Sequence, residues 1–308
     1  MIIPGFVSRG AFNWTKLGYH FHLSEDEKAQ IFSEKATDPW LDLARIVEAA
    51  KIGDFSPAKN LIRYFQGDHQ TNINPVALLV AGDIGRQEDL ESLVDVMRRG
   101  PDGLRIYACQ GARNAGSLWL VPHMLAAWRL CSGSDAHETI GFAIADMLDP
   151  IASLDDLGFI GAMAGHHEVD VGESLVSSDI GRLARRLSSE SSAYSFARAV
   201  YQRYMELRDQ CESEEDTVWA GKKSGVVEFS EHFLKMLSCG SFDITQAPLV
   251  VPLREKFEAM TGMDCTGFYR EGRLVHGEVV HVLEKFLASS FGNEYQAGKR
   301  YFFSRRIA

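Results

Sequence analysis

The densest group of metal-capable side chains in this chain comprises His166, His167 and Glu168, followed closely by Asp170 and Glu173. A metal site on a helix needs ligands at i and i+3 or i+4, so that they share one face. Neighbouring histidines point away from each other, and the glycines that flank the cluster are typical of a loop. The sequence therefore predicts no metal site here.

Two other groups offer weaker chemistry. His20 and His22 share a face only in an extended segment, and two ligands without a third do not define a metal site. Cys265 and His276 have the residue types of a nucleophile and its base, but no nucleophile-elbow motif or cysteine signature surrounds them. We expect Cys265 to be a buried structural cysteine. We predict no catalytic residue, no metal and no cofactor for the chain.

The stretch AGDIG, residues 81–85, places two glycines between an apolar run and a helical pattern, as phosphate-binding loops do. Such a loop follows a β-strand, whereas residues 75–80 are rich in alanine and leucine and lie in helical phase. A glycine also ends a helix when it adopts the left-handed conformation. We therefore predict that Gly85 forms the turn of a helical hairpin.

The same pattern recurs along the first half of the chain. Gly116 lies 31 residues after Gly85, and Gly53 lies 32 residues before it. After each glycine, apolar residues recur at the spacing of one helical face. These residues are Ala58, Leu61, Ile62 and Phe65 in the first copy, Leu90, Leu93, Val94 and Met97 in the second, and Val121, Met124, Leu125 and Trp128 in the third. Each copy thus predicts two helices joined by a glycine turn.

A fourth copy begins at HETIGFAIADML, but Pro150 and an acidic pair at 155–156 interrupt its second helix. One hairpin cannot bury its apolar stripe alone, so the copies must stack. The period and the Ala-x-x-Ile/Ala-Gly signature resemble HEAT-like repeats of the short type, also seen in phycobilin lyases, over residues 38–157. The resemblance implies an all-α fold, an α-solenoid of about four helical hairpins.

Beyond residue 157 the repeat is lost and separate helical patterns follow. They span 177–187, 192–211 with Ser192 as N-cap, 226–237, 251–260 and 274–288. We expect the charged stretch 211–225 to be an exposed loop, and the tail GKRYFFSRRIA to be a packed terminal segment or a small strand. The predicted parts are an N-terminal segment (1–37), the HEAT-like repeats (38–157) and a helical C-terminal domain (158–308).

Composition narrows the classes of function. The formal net charge of −10 disfavours a nucleic-acid binder, which must neutralise phosphates with lysine and arginine. Five scattered cysteines without a C-x-x-C pair argue against a disulfide framework and a zinc module. No apolar run approaches the length of a membrane span, so we expect no membrane partner and a cytoplasmic location.

The second helices of stacked hairpins commonly line the binding surface of a solenoid. In the second copy four acids fall outside the apolar stripe, so we expect them to be solvated. The third copy adds aromatic and arginine side chains, which dominate binding hot spots. The predicted partner-binding residues are Glu88, Asp89, Glu91, Asp95, Trp119, His123 and Arg129. The alternative is a plain solvated helix face.

The whole layout also resembles bacterial immunity proteins of polymorphic toxin systems. The resemblance rests on the short repeats, the segment PLREKFEAMTGMDCTGFYREG and the ending GKRYFFSRRI. It implies a non-enzymatic protein that neutralises a cognate toxin by binding it, with an acidic surface that covers a basic toxin domain. The alternatives are an enzyme or chromophore lyase on the same scaffold, and a DNA-repair solenoid, which the negative charge disfavours.

Overall fold

The structure is a computed structural model of the chain. It describes residues 19, 26, 29, 31–32, 39–65, 73–149, 179–185, 190–214, 216–238, 247–270, 273–289, 292, 294–296 and 298–307. The cluster at 166–173, both His20 and His22, and the second helix of the fourth copy lie outside the described residues.

The described chain is mostly helical, as predicted, and its first half consists of paired helices. These elements are α1 (Pro39–Lys51), a 3₁₀ helix (Ser56–Tyr64), α2 (Ile73–Ile84), α3 (Gln87–Arg99), α4 (Asp102–Ala115), a 3₁₀ turn (Leu118–Leu120), α5 (Val121–Leu130) and α6 (Ser134–Leu148). The first three predicted copies are therefore confirmed as helix pairs, and the first helix of the fourth copy is present.

First helices pack against first helices and second helices against second helices. α2 lies against α4, and α4 against α6, while α3 lies between the 3₁₀ helix and α5. The contact between α2 and α4 is closest at Gly82 and Gly111. A Cβ on Gly82 would lie 2.0 Å from the carbonyl oxygen of Gly111. Only a residue without a side chain allows this approach.

Glycine ends the first helix of each complete copy. Gly53, Gly85 and Gly116 have φ values of +93°, +68° and +67°, in the left-handed region. The N–H of Gly85 donates to the carbonyl of Ala81 at 2.9 Å, which closes the last turn of α2. The prediction that Gly85 forms a helical turn is confirmed.

The second helix of the first copy differs from the expected α-helix. It is a 3₁₀ helix with three residues per turn, so Ala58, Leu61 and Tyr64 share its buried face. Ile62, predicted to be an apolar contact, is instead 43% exposed. The prediction for Ile62 is wrong because a period of 3.6 residues was assumed for this segment.

The described residues of the second half form helices and three small β-hairpins. The elements are α7 (Asp179–Arg185), α8 (Glu190–Arg208), β1 (Val218–Trp219), β2 (Lys222–Lys223), α9 (Val226–Ser238), α10 (Ala247–Thr261), a 3₁₀ turn (Thr266–Phe268), β3 (Tyr269–Arg270), β4 (Arg273–Leu274), α11 (His276–Ala288), β5 (Tyr301–Phe302) and β6 (Arg305–Arg306). The pairs β1–β2, β3–β4 and β5–β6 are antiparallel. The tail thus forms a small strand pair and also packs, because Tyr301 and Phe302 are buried.

α8 has the predicted apolar stripe but not the predicted start. Phe196, Val200 and Leu207 are buried, and Tyr204 is half-buried. The helix begins at Glu190 rather than after Ser192, so Ser192 lies in its first turn and is not the N-cap. This helix packs against α5, α6 and α7.

The charged stretch 211–225 is not simply an exposed loop. It contains the β1–β2 hairpin, in which Val218 and Trp219 are buried. The N–H of Val218 donates to the carbonyl of Gly116 at 2.7 Å, which attaches the hairpin to the end of α4. The prediction failed because the many charged residues of this stretch indicated exposure, although Val218 and Trp219 among them are buried.

Two apolar clusters form the interior of the described chain. The first joins α1–α6 with α7 and α8. The second lies among α9, α10 and α11, and it is rich in buried phenylalanines: Phe229, Phe233, Phe257, Phe268 and Phe286. The predicted boundary at 157/158 stays a prediction, but the first apolar cluster extends beyond it into α7 and α8. Among the described residues, no helix is long and apolar enough to cross a membrane.

Candidate protein-binding surface and the junction beside it

The acidic face of α3 is solvated at three of its four predicted positions. The sequence of α3 alternates apolar and charged residues at helical spacing, which buries Leu90, Leu93 and Met97 completely. The opposite side exposes Glu88, Glu91 and Asp95 to solvent.

Asp89 is the exception, and the prediction that it is solvated is wrong. It is only 4% exposed, and its two carboxylate oxygens accept hydrogen bonds of 2.8 and 2.7 Å from Arg86. Arg86 also donates to the carbonyl of Phe55 in the preceding copy at 3.3 Å. Burial raises the pKa of Asp89, against the opposing effect of Arg86. Asp89 therefore fixes the arginine that joins two copies and does not face a partner.

The residues predicted from the third copy extend the surface from α3 to α5. The rings of Trp119 and His123 meet edge to face at a centroid distance of 5.9 Å. An Nη atom of Arg98, on α3, lies 3.4 Å from Nδ1 of His123. Both aromatic residues are half-buried, and burial, followed by Arg98, lowers the pKa of His123. Arg129 is exposed in the last turn of α5.

The charge of this surface is mixed rather than uniformly acidic. Asp95 lies 3.8 Å from Arg99, and Glu88 lies 3.6 Å from Arg86. The Asp95–Arg99 pair is exposed on both sides, and such a pair contributes little to stability. Glu91 accepts a hydrogen bond from the Gln87 amide at 3.1 Å.

A second group of polar contacts, which the sequence did not indicate, lies where the two halves meet. Arg300 donates to the carbonyl of Gly85 at 3.0 Å, at the end of α2, and to the carbonyl of Glu214 at 2.9 Å. It also donates to the hydroxyl of Ser117. The last carbonyls of a helix have no intrahelical partners, and a cation beside them also interacts favourably with the negative end of the helix dipole. Arg300 therefore caps α2.

The ends of α4 and α6 are capped from the second half in the same way. Lys256 donates to the carbonyl of Asn114 at 2.9 Å, at the end of α4. In the last turn of α6, the carbonyls of Asp146 and Met147 accept hydrogen bonds of 3.1 and 3.0 Å from the backbone N–H groups of Ala220 and Gly221. The second half thus docks along the carboxyl ends of the first helices.

The junction contains groups with strongly shifted pKa values. Lys256 is 4% exposed, and burial lowers its pKa to about 7. Its ammonium lies 5.3 Å from the ring centre of Trp219, a cation–π distance. Burial also raises the pKa of Asp83 to about 7, although Asp83 accepts a hydrogen bond from Tyr19. Such shifts occur at functional sites, but also in structural networks.

The volume of the pocket at the junction distinguishes a functional site from a structural network. Asp83, Asn114, Lys256 and Arg300 line a small pocket there, with a volume of about 20 Å³. A space of this size holds about one water molecule. The arrangement suits a structural polar network rather than a site for an organic substrate.

Cys265 is buried, as predicted. Burial raises the pKa of its thiol well above the ordinary range, so the thiol is protonated at neutral pH. Nε2 of His276 lies 2.8 Å from the carbonyl of Leu237. Within the described part of the chain, no three histidine, cysteine or acidic residues come together as a metal site would require.

Comparison with known proteins adds no relative. No family model, no curated protein and no solved structure matches the chain. The function must therefore be argued from the surface and the junction themselves.

Proposed function

We propose that the chain is a non-enzymatic protein-binding module, a short HEAT-like solenoid whose second helices form the binding surface. The observation that carries the proposal is the continuity of this surface from α3 to α5, through the contact of Arg98 with His123. It combines exposed carboxylates with a half-buried Trp119 and the exposed Arg129. Aromatic and arginine side chains of this kind dominate the energetics of protein interfaces.

We further propose that the partner is a bacterial toxin and that the chain acts as its immunity protein in the cytoplasm. A net charge of −10 and the carboxylates of α3 favour a basic partner domain through long-range attraction. The chain would then neutralise the toxin by covering its functional surface. No catalytic residue on the chain is needed for this mechanism.

An enzyme or chromophore lyase on the same scaffold is the second candidate. The shifted pKa values of Lys256 and Asp83 favour it. A lyase, however, needs a deep and mostly apolar pocket for its chromophore. The junction pocket of about 20 Å³ is too small for that purpose, so we prefer the binding function.

The test is co-expression of the chain with the product of the gene next to its own. We expect rescue of growth from the toxic product and a stable complex of the two purified proteins. Absence of both would contradict the immunity proposal. If the complex forms, calorimetry on charge-reversal variants then locates the surface.

The variant that tests the surface combines Glu91→Lys and Asp95→Lys. The matched control combines Glu278→Lys and Glu284→Lys, which makes the same charge change at exposed positions of α11. We expect at least about a tenfold loss of affinity for the first variant, or about 1.4 kcal/mol, and less than about twofold for the control. Equal losses in both variants would contradict the assignment to α3.

A further inference from the structure

A line of side chains runs along the outer face of α8. Its members recur at i, i+4, i+7, i+11 and i+14, so they lie above one another on one side of the helix. We call them the Tyr–Arg stripe: the exposed Tyr194, Arg198, Tyr201 and Arg208, together with the half-buried Met205. With a rise of 1.5 Å per residue, the stripe is about 21 Å long.

The orientation of α8 is fixed, so the stripe cannot turn inward. On the opposite face, Phe196 packs on Trp128 of α5 with a centroid distance of 4.6 Å, and Val200 and Leu207 are buried. Tyr194 and Tyr201 remain 70% and 60% exposed. Two large aromatic rings two helical turns apart are therefore presented to solvent, with an arginine between them.

The charge of the stripe is opposite to that of the whole chain. Within the described part of the chain, no carboxylate pairs with Arg198, which is exposed. Arg208 lies 3.7 Å from Asp209, and at the flank Arg203 is paired with Glu206 at 2.7 Å. The uncompensated charge at the centre of the stripe is therefore positive, although the chain carries a net charge of −10.

We propose that the Tyr–Arg stripe docks an acidic, amphipathic segment of a partner protein. Tyr194 and Tyr201 would cover its apolar side chains, and Arg198 would pair with one of its carboxylates. Tyrosine and arginine are among the residue types enriched at binding hot spots. The proposal rests on the proposed function in one respect. α8 packs beside α5, so the stripe is taken to extend the binding surface that the second helices are proposed to form.

Two other occupants fit the stripe less well. A basic segment would be repelled by Arg198. A second copy of the chain, related by a two-fold axis, would place one positively charged stripe against another. The acidic segment alone uses both the exposed rings and the positive charge.

The experiment measures the binding of two labelled peptides of about 15 residues by fluorescence anisotropy. Both carry leucine at i, i+4, i+7 and i+11; one has glutamate at the flanking positions and the other has lysine. We expect the acidic peptide to bind and Arg198→Glu and Tyr201→Ala each to weaken it by at least about tenfold. Lys235→Glu, the same charge change at an exposed position of α9, should have no effect.

Several results would overturn the proposal. They are equal binding of both peptides, failure of the acidic peptide to bind, or a wild-type dimer that Tyr201→Glu dissociates in analytical ultracentrifugation. Because all substituted side chains are exposed, circular dichroism should show unchanged folding. The α3 variant Glu91→Lys/Asp95→Lys should retain peptide binding. Loss of toxin binding in that variant and loss of peptide binding in the α8 variants are therefore separate outcomes.

Discussion

The close contact between α2 and α4 makes Gly111→Ala the sharpest test of the packing of the first helices. A Cβ at position 111 would lie 2.5 Å from the carbonyl oxygen of Leu78 and 3.3 Å from Cδ1 of Leu93. Real Cβ atoms stay at least 3.0 Å from such neighbours, so the two backbones must separate by at least about 0.5 Å to accept the methyl group. The close neighbour is a backbone atom within a helix, and it cannot rotate away.

The expected cost follows from this displacement. A gap of about 0.5 Å forfeits roughly a quarter of the dispersion energy of the atoms concerned, and forced insertion of a methyl group into a packed core costs about 1–3 kcal/mol. Alanine recovers up to about 1 kcal/mol through its higher helix propensity. We expect Gly111→Ala to be less stable by about 1–2 kcal/mol, which for a chain of 308 residues lowers the melting temperature by about 1.5–3 °C.

The matched control is Gly103→Ala in the same helix. A Cβ there meets nothing within 4 Å, so the substitution should be neutral or stabilise by up to about 1 kcal/mol. Urea unfolding followed by circular dichroism measures both variants, and equal m-values would show that stability alone has changed. Equal midpoints for Gly111→Ala and Gly103→Ala would refute the close contact of the two helices.

Three further predictions concern two residues of the junction, Lys256 and Arg300, and the buried Cys265. The pKa of Lys256 is lowered to about 7, so between about pH 7 and pH 10 the unfolded chain binds more protons than the folded chain. Thermal unfolding should therefore show that the stability of the wild type relative to Lys256→Met increases by at least about 1 kcal/mol between about pH 7 and pH 9.5. Parallel stability curves for the two proteins would contradict this. Arg300→Gln should cost about 1–3 kcal/mol through the lost cap on Gly85, whereas Arg306→Gln, at an exposed position, should leave the melting temperature unchanged. Cys265 should resist iodoacetamide in the folded protein and react only after denaturation, as peptide mass spectrometry would show.

The paired helices of the first half were predictable from the sequence because their signals are local. Gly85 ends α2 in the left-handed conformation, and Leu90 and Leu93 are completely buried in the following helix. Each of these features depends on neighbours within a few residues, which the periodicity records. Ile62 was misplaced only because a 3₁₀ helix has a different period.

The candidate site was predictable only in part, since burial depends on distant residues. Asp89 has the same residue type as its solvated neighbours, but it is buried and accepts hydrogen bonds from Arg86, which also donates to the carbonyl of Phe55 in another copy. The junction was missed altogether. Lys256 and Arg300 reach carbonyls 142 and 215 residues away in the sequence, and no short-range pattern marks such contacts.

The capping of α2 by Arg300 has a consequence for how the chain is made. A ribosome releases Gly85 long before Arg300, 215 residues later, has been synthesised. During that interval the carboxyl ends of α2 and α4 have only water as their partner. The first half of the nascent chain can therefore form its helices early, but the last carbonyls of these helices gain their protein donors only when the distant residues have been synthesised. A translation pause between the two halves would leave an intermediate with these helix ends exposed.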